Sequence, residues 1–391
     1  KPIVREENRM KDLVYLNYAA TSYKKFPATI EALTAYLAEN QFMNYGRNAP
    51  LLREGLPLLE TRQLFADFFQ APSAAQITFT NNATTSLNLA LAGILQPGDH
   101  VITTMLEHHA VARPLHLLEK ERGISVTYVA CQKTGLLDVE DIQRAWRTNT
   151  KALVMTHASN VLGTILPIEE CFQWAHQKGL LTVLDAAQTA GFLPIKMTQM
   201  AIDVLAFTGH KSLYGLAGIG GLAFSERGAE AVKPLITGGT GSHSNSFDQP
   251  SFLPDKFEAG TLNSLGILSL NSSVKELNKI GLAAIQKHER TLMQNFLNGL
   301  SGLPVTILGT KDVAQTVPVV SITLWNQEET VVAQQLAEQY GIMTRAGLHC
   351  APLAHETAGT LATGTLRFSF GWQTTPEEIT WTIHALQELL I

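Results

Sequence analysis

Short apolar runs alternate with amphipathic stretches up to about residue 262. Runs at 77–80, 101–104, 126–129, 152–156, 181–184 and 204–207 read as buried strands. They are too short for helices and too uniformly apolar for half-solvated strands. The stretches near 84–95, 112–122, 138–146, 168–178 and 228–234 carry apolar residues at helical spacing. Strand and helix in alternation predict a mainly parallel sheet with helices on both faces. Beyond 262 the texture changes. A long helical region over 265–300, a strand at 317–324, a helix at 329–340, a strand at 365–370 and a closing helix at 375–390 predict a smaller α+β unit. The expected division is a large domain over 26–262 and a small one formed by 1–25 with 263–391. Between them TGGTGSHSNSFDQPS, at 237–251, reads as a mobile loop.

Composition narrows the class. The chain has 391 residues, 45% hydrophobic and 16% charged, with a formal net charge of -5. That is a globular balance, and there is no Lys/Arg block of the kind nucleic acids or anionic membranes attract. No apolar run has membrane-spanning length, and no secretory leader is expected. Cys131, Cys171 and Cys350 are odd in number and widely spaced, without a C-x-x-C pair, which suits a reducing cytoplasm. The polar residues KPIVREENR before Met10 are given no function.

In a parallel sheet, sites form beyond the carboxyl ends of the strands, so polar residues that directly follow an apolar run are the informative ones. Four junctions qualify. In FTNNATTSLN, Asn82, Thr84 and Thr85 would stand at a helix start, as an ordinary cap or as an anion site for a phosphate. In VLDAAQTAG, Asp185 closes a buried strand and needs a cation or donors, with Gln188 three residues on. In VLAFTGHKSLYG, Thr208, His210 and Lys211 follow a strand. A lysine in a Gly-flanked, uncharged turn either reaches solvent or is enclosed as a neutral nucleophile. In TTMLEHHAVARPL, Glu107, His108 and His109 are adjacent. Neighbouring histidines in extended chain face opposite ways, and H-E-x-x-H is absent, so no metal site is expected. One ring would instead stack on a flat cofactor. Phosphate anchor, carboxylate, nucleophilic lysine and flat ring together describe the requirements of pyridoxal 5'-phosphate. GIGGLA at 218–223 formally matches a dinucleotide fingerprint but leads into strand-like LAF rather than a helix, and is rejected.

A last stretch, TRAGLHCAPLAHE at 344–356, places Cys350 among small residues, histidines and proline. From the residues alone it is core filler, metal ligand or nucleophile.

The motifs YLNYAATS, LEHHA, THASNVLGT, LDAAQTAG, FTGHKSLYG, FEAGTLN, RAGLHCAPLAH and RFSFGWQTTPEEI occur in an order that resembles the class V aminotransferase family of fold-type I pyridoxal-phosphate enzymes. Within it the chain looks most like the cysteine desulfurase and selenocysteine lyase branch. The resemblance implies a homodimer in which Lys211 carries the cofactor as a Schiff base, Asp185 pairs with the pyridine nitrogen and Gln188 with the ring hydroxyl. It implies that His108 stacks on the ring and that Thr84 or Thr85, Thr208 and His210 bind the phosphate. Thr261 would reach the phosphate of the other subunit, and Asn160 would lie near the substrate and the ring hydroxyl. Arg367 would grip the substrate carboxylate, with Arg345 on the same side of the site. Cys350 would attack the substrate sulfur and keep it as a persulfide, leaving alanine, with His349 or Arg345 helping to ionise the thiol. A short loop around Cys350 implies a protein sulfur acceptor. One position departs from the desulfurase pattern: NYGRNAP carries Arg47 without the histidine those enzymes often place before it. Selenocysteine lyase, a cysteine or cystine C–S lyase, an aminotransferase and a non-catalytic cofactor-binding regulator are the other readings this scaffold allows.

Overall fold

The computed structural model describes residues 13–38 and 56–391. Arg47 and the polar leader lie outside the described residues. From the amino end, β1 (Val14–Tyr15) leads to α1 (Pro27–Ala38) and α2 (Leu56–Phe69). Then follow β2 (Ile77–Thr80), α3 (Ala83–Ile94), β3 (His100–Thr104), α4 (His109–Arg122), β4 (Ser125–Val129), α5 (Val139–Arg144), β5 (Thr150–Thr156) and α6 (Ile168–Gln177). Next come β6 (Leu181–Asp185), β7 (Val204–Thr208), β8 (Gly220–Phe224) and α7 (Glu226–Ala231). The carboxyl third holds α8 (Ser264–Ile280), α9 (Leu282–Gly299), β9 (Val305–Ile307), β10 (Val319–Leu324), α10 (Glu329–Tyr340), β11 (Ile342–Met343) and β12 (Arg345–Gly347). It ends with α11 (Pro352–Ala358), β13 (Thr365–Ser369) and α12 (Pro376–Leu390).

The largest sheet has seven strands in the order β2-β8-β7-β6-β5-β3-β4. Its neighbours pair in parallel except at β8, which runs antiparallel to both β2 and β7. Alternation along each strand sends side chains to two separate cores. On β5, Leu153 and Met155 pack with α2, α6 and α8, whereas Ala152 and Val154 pack with α3 and α4. That two-sided burial is why the strands read as unbroken apolar runs. A four-stranded antiparallel sheet, β12-β13-β10-β9, packs its own core against α9, α10 and α12. β1 pairs in parallel with β11, joining the amino end to the carboxyl third.

The six predicted strands form within two residues of their expected bounds. Three differences have physical causes. The predicted 265–300 helix is two helices, because Gly281 adopts φ 85, a left-handed angle at which the chain turns. Helix α4 starts three residues early because His108 caps it. GIGGLA is strand β8, with glycine where a side chain cannot fit. A Cβ on Gly221 would lie 2.4 Å from the Thr78 carbonyl oxygen and 2.5 Å from the Phe207 ring, itself stacked on Phe65. Residues 237–251 contain no helix or strand.

Packing reaches the site through Gly191, which has φ 95. A Cβ there would lie 2.1 Å from the carbonyl oxygen of Ser212, next to Lys211. Gly191→Ala must displace that backbone and accept a strained φ. It is expected to destabilise the protein by about 3 kcal/mol, read as a lower denaturant midpoint at unchanged slope.

Candidate active site

Asn82, Glu107, Thr156, Asp185 and Thr208 end or directly follow strands of the large sheet, so their side chains meet along one edge. A cavity of about 170 Å³ opens there, lined by Asn82, Thr84, His108, Asn160, Asp185, Gln188, Thr208, His210 and Lys211 among others. Eight of the predicted cofactor residues thus share one space. Thr85 and Thr261 line a separate cavity of about 160 Å³. The Thr85 hydroxyl is turned to the cap residue Asn82, which also accepts from the Thr85 N–H at 2.9 Å. Of the two predicted threonines, it is Thr84 that faces the first cavity.

Lys211 sits in a loop closed by Gly209 N–H on Ile219 O, Gly215 N–H on Gly209 O and Tyr214 N–H on Lys211 O. The lysine makes no ion pair among the described residues. Burial lowers its ammonium pKa to about 8, with Arg367 and Arg345 pushing the same way and Asp185 and Cys350 opposing. Asp185 accepts the Ala187 N–H at 2.9 Å. Burial raises its pKa, while that N–H and Lys211 pull it back. It is a carboxylate placed to receive a cation.

His108 caps α4: its Nδ1 accepts the Ala110 N–H at 3.0 Å, so the proton sits on Nε2. Burial and then Lys211 lower its pKa to about 3, leaving a neutral flat ring beside the lysine. His210 is also neutral, at about 4, chiefly through burial. The Gln188 amide donates to Ala19 O at 3.1 Å. The hydroxyl of Thr208 is buried and unpartnered among the described residues.

Of the substrate-facing predictions, Asn160 lines the cavity, whereas Arg367, Arg345 and Cys350 are not among its lining residues. Arg367 is 1% exposed, on β13, directly opposite Arg345 of β12 in the antiparallel register. Arg367 donates Nη1 to Asn160 O and Nη2 to Asn17 Oδ1, each at 3.0 Å, while its Nε has no partner among the described residues. No carboxylate of the described residues pairs with it. Burial and the Arg345 charge lower its pKa to about 9. Two like charges across a strand pair repel, so this fork is built for an anion from outside.

Cys350 is exposed, on a turn where His349 and Cys350 take φ 51 and 58, both left-handed. Such angles in consecutive non-glycine residues persist only where contacts enforce them. Two bonds do so here: Asn160 Nδ2 donates to His349 O at 2.8 Å, and His109 N–H donates to Cys350 O at 2.8 Å. Arg345 Nη2 lies 3.9 Å from Cys350 Sγ. His349 is buried and donates Nε2–H to Arg345 O at 3.1 Å. Of the two residues expected to assist the thiol, Arg345 is the one at the sulfur. His349 turns inward.

Sequence reasoning missed Asn17, which holds the arginine fork, and Glu107, although both lie within motifs already noted. Fully buried Glu107 accepts the Thr104 hydroxyl at 2.6 Å and the Thr156 N–H at 3.0 Å through one oxygen. Its other oxygen has no partner among the described residues.

Residues 14–381 match the family model described as Aminotransferase class-V, and the chain belongs to that pyridoxal-phosphate-dependent family. Among curated relatives it is 33% identical to a probable cysteine desulfurase of Methanothermobacter thermautotrophicus, over 97% of this chain and 95% of that one. It is 34% identical to another from Halalkalibacterium halodurans, over 97% and 93%. Among solved structures, the apo cysteine desulfurase of Thermococcus onnurineus superposes with a TM-score of 0.89 at 29% identity, over 97% of this chain and 94% of that one. The S-sulfonic acid form of an Escherichia coli cysteine desulfurase gives 0.85 at 28%, over 97% and 96%.

Burial raises the Glu107 pKa from 4.5 to about 8. Between those values the folded protein keeps a proton that the unfolded chain releases, so this group's contribution to stability is full below 4.5 and falls as pH rises to 8. Glu107→Gln keeps the accepting oxygen and cannot ionise. Its stability relative to wild type should therefore climb from pH 4.5 to 8 and then level off; parallel denaturation curves at every pH would refute this.

Proposed function

We propose that the protein is a pyridoxal-phosphate-dependent cysteine desulfurase that converts L-cysteine to L-alanine and takes the sulfur onto Cys350. The observation that carries this reading is the pinned, left-handed Cys350 turn with Arg345 at its sulfur. A transaminase or a simple C–S lyase has no use for such a turn. The named relatives support it.

The residues fit the cofactor. The start of the twelve-residue helix α3, with Asn82 and Thr84, and the unpartnered Thr208 hydroxyl offer donors to a phosphate. Asp185 would hold the pyridine nitrogen protonated, Lys211 would hold the aldehyde carbon covalently, and neutral His108 would cover the ring. When bound, pyridoxal phosphate supplies the electron sink that weakens bonds at the substrate α-carbon. The chain does the rest. The Arg345–Arg367 fork binds the α-carboxylate and orients the amino acid. Lys211, with its ammonium pKa near 8, takes the α-proton and returns it. Cys350 Sγ attacks the substrate sulfur: the S–S bond forms, the C–S bond breaks and its electron pair passes to the carbon skeleton, which is protonated to alanine.

The quaternary reading is a homodimer. It is supported by Thr261, which lies outside the cofactor cavity of its own chain, and by the exposed apolar side chain of Ile236, which lines the same second cavity as Thr261. A protein sulfur acceptor is supported by the exposure of Cys350, two residues after exposed Leu348. No helix of the described residues is long and apolar enough to cross a membrane. The three free cysteines favour a reducing compartment such as the cytoplasm.

A single turnover with cysteine is expected to give alanine and a mass gain of one sulfur on the Cys350 peptide, both lost in Cys350→Ala. Alanine or pyruvate with no sulfur on Cys350 would make the protein a lyase. Arg367→Ala should raise KM for cysteine by roughly tenfold to a hundredfold, the loss of a charge-assisted bond of about 1.5–3 kcal/mol. An unchanged KM would remove the fork from substrate binding.

A further inference from the structure

Beneath the Cys350 turn lies a chain of buried groups that the reaction above does not use. Thr360 Oγ1 lies 2.9 Å from His355 Nδ1, His355 Nε2 lies 3.4 Å from His349 Nδ1, and His349 Nε2 lies 3.1 Å from Arg345 O. The two rings are nearly parallel, 12° apart, and both residues are buried. The end of the chain fixes every proton in it. A backbone carbonyl only accepts, so His349 Nε2 carries the hydrogen. His349 Nδ1 is then a bare acceptor, and His355 Nε2–H must donate to it. His355 Nδ1 is bare in turn and accepts the Thr360 hydroxyl.

With both rings neutral the chain therefore runs one way, from Thr360 through His355 and His349 to Arg345. A proton on either ring would turn the Thr360 hydroxyl from donor to acceptor and end that single direction. The surroundings keep them neutral: burial, then the Arg367 charge, lower His349 to about 2 and His355 to about 4. The chain ends on the residue whose guanidinium meets the Cys350 sulfur, and it passes through the residue whose own carbonyl is held by Asn160.

We infer that Thr360, His355 and His349 form a neutral, one-directional hydrogen-bond relay that positions Arg345 and the left-handed Cys350 turn for sulfur transfer. This rests on the desulfurase reading of Cys350. His355 touches neither cofactor nor substrate and acts only through His349, so it is a positioning residue. Its contribution falls on the transfer step rather than on amino-acid binding, because the main grip on the α-carboxylate is Arg367, held by Asn160 O and Asn17 Oδ1 outside the relay.

The test uses the holoenzyme with His355→Leu and His355→Gln. Leucine fills similar space but leaves His349 Nδ1 without a donor, whereas the glutamine amide can donate at the same place. His355→Leu is expected to slow formation of the Cys350 persulfide by about a hundredfold, the effect of misplacing a reacting atom by an ångström. The cofactor's spectral change should still saturate at the wild-type cysteine concentration, and His355→Gln should recover most of the rate. Persulfide formation at the wild-type rate in His355→Leu overturns the relay. So does loss of amino-acid binding and transfer together, with glutamine as defective as leucine. If the leucine protein does not fold, Thr360→Val, which removes only the first donor, must slow transfer several-fold without moving the binding midpoint. Failure of the desulfurase reading shows separately, as wild-type enzyme that places no sulfur on Cys350. In that case alkylation of Cys350 by iodoacetamide decides the relay alone: a several-fold change in His355→Leu, reversed in His355→Gln, supports it, and identical rates in all three proteins refute it.

Discussion

Arg345 and Arg367 face one another across two paired strands with no acid between them, and much of the site follows from that repulsion. Added to burial, the larger cause, it takes the Arg367 guanidinium down to about 9 and helps to hold Lys211 near 8. Burial first, and then these positive charges, keep His108, His349 and His355 neutral. An isolated buried cation is expensive, so the arrangement needs support that does not cancel the charge. Asn17 and the Asn160 carbonyl give it: both are neutral acceptors that orient Arg367 and leave its charge free for an incoming carboxylate.

Asn160 ties three functions together. Its side chain lines the cavity, its amide holds the Cys350 turn through His349 O, and its carbonyl holds Arg367. The cavity belongs to the large sheet, whereas the fork and the cysteine belong to the carboxyl third. A single residue following β5 thus fixes how far the sulfur acceptor stands from the cofactor residues. The two left-handed residues at 349 and 350 mark where the chain is bent against its own preference to achieve this.

The large sheet was legible because burial on both faces leaves an unmistakable apolar run, as at 181–184 and 204–207. The polar residues at the ends of those runs, Asp185 and Thr208–Lys211, could be picked out for the same reason. What stayed hidden has a common cause: it depends on contacts between distant segments. Strand β12 is three residues long and exists because β13 pairs with it. Helix α11 has seven residues and no periodicity to read. Asn17 lies 350 positions from the arginine it holds, and no local pattern signals that bond. Sequence left His349 and Arg345 as equal candidates to assist Cys350, because what separates them is the left-handed turn, which sends the His349 ring inward and leaves Arg345, five residues earlier, at the sulfur.

On the proposed reaction, the arginine pair also links binding to proton transfer. A carboxylate seated on the fork adds a negative charge beside two guanidinium groups that have no acidic partner among the described residues. It offsets the two guanidinium charges that hold down the proton affinity of Lys211, so it raises the basicity of that amine just as the α-carbon arrives beside it. The effect is strong because the cavity is small and poorly screened; in bulk water the same charges would interact weakly. A ligand without a carboxylate leaves Lys211 in its depressed state and Arg367 unpaired. Selection for an α-amino acid and activation of the base therefore come from one electrostatic arrangement, set by the register of β12 on β13.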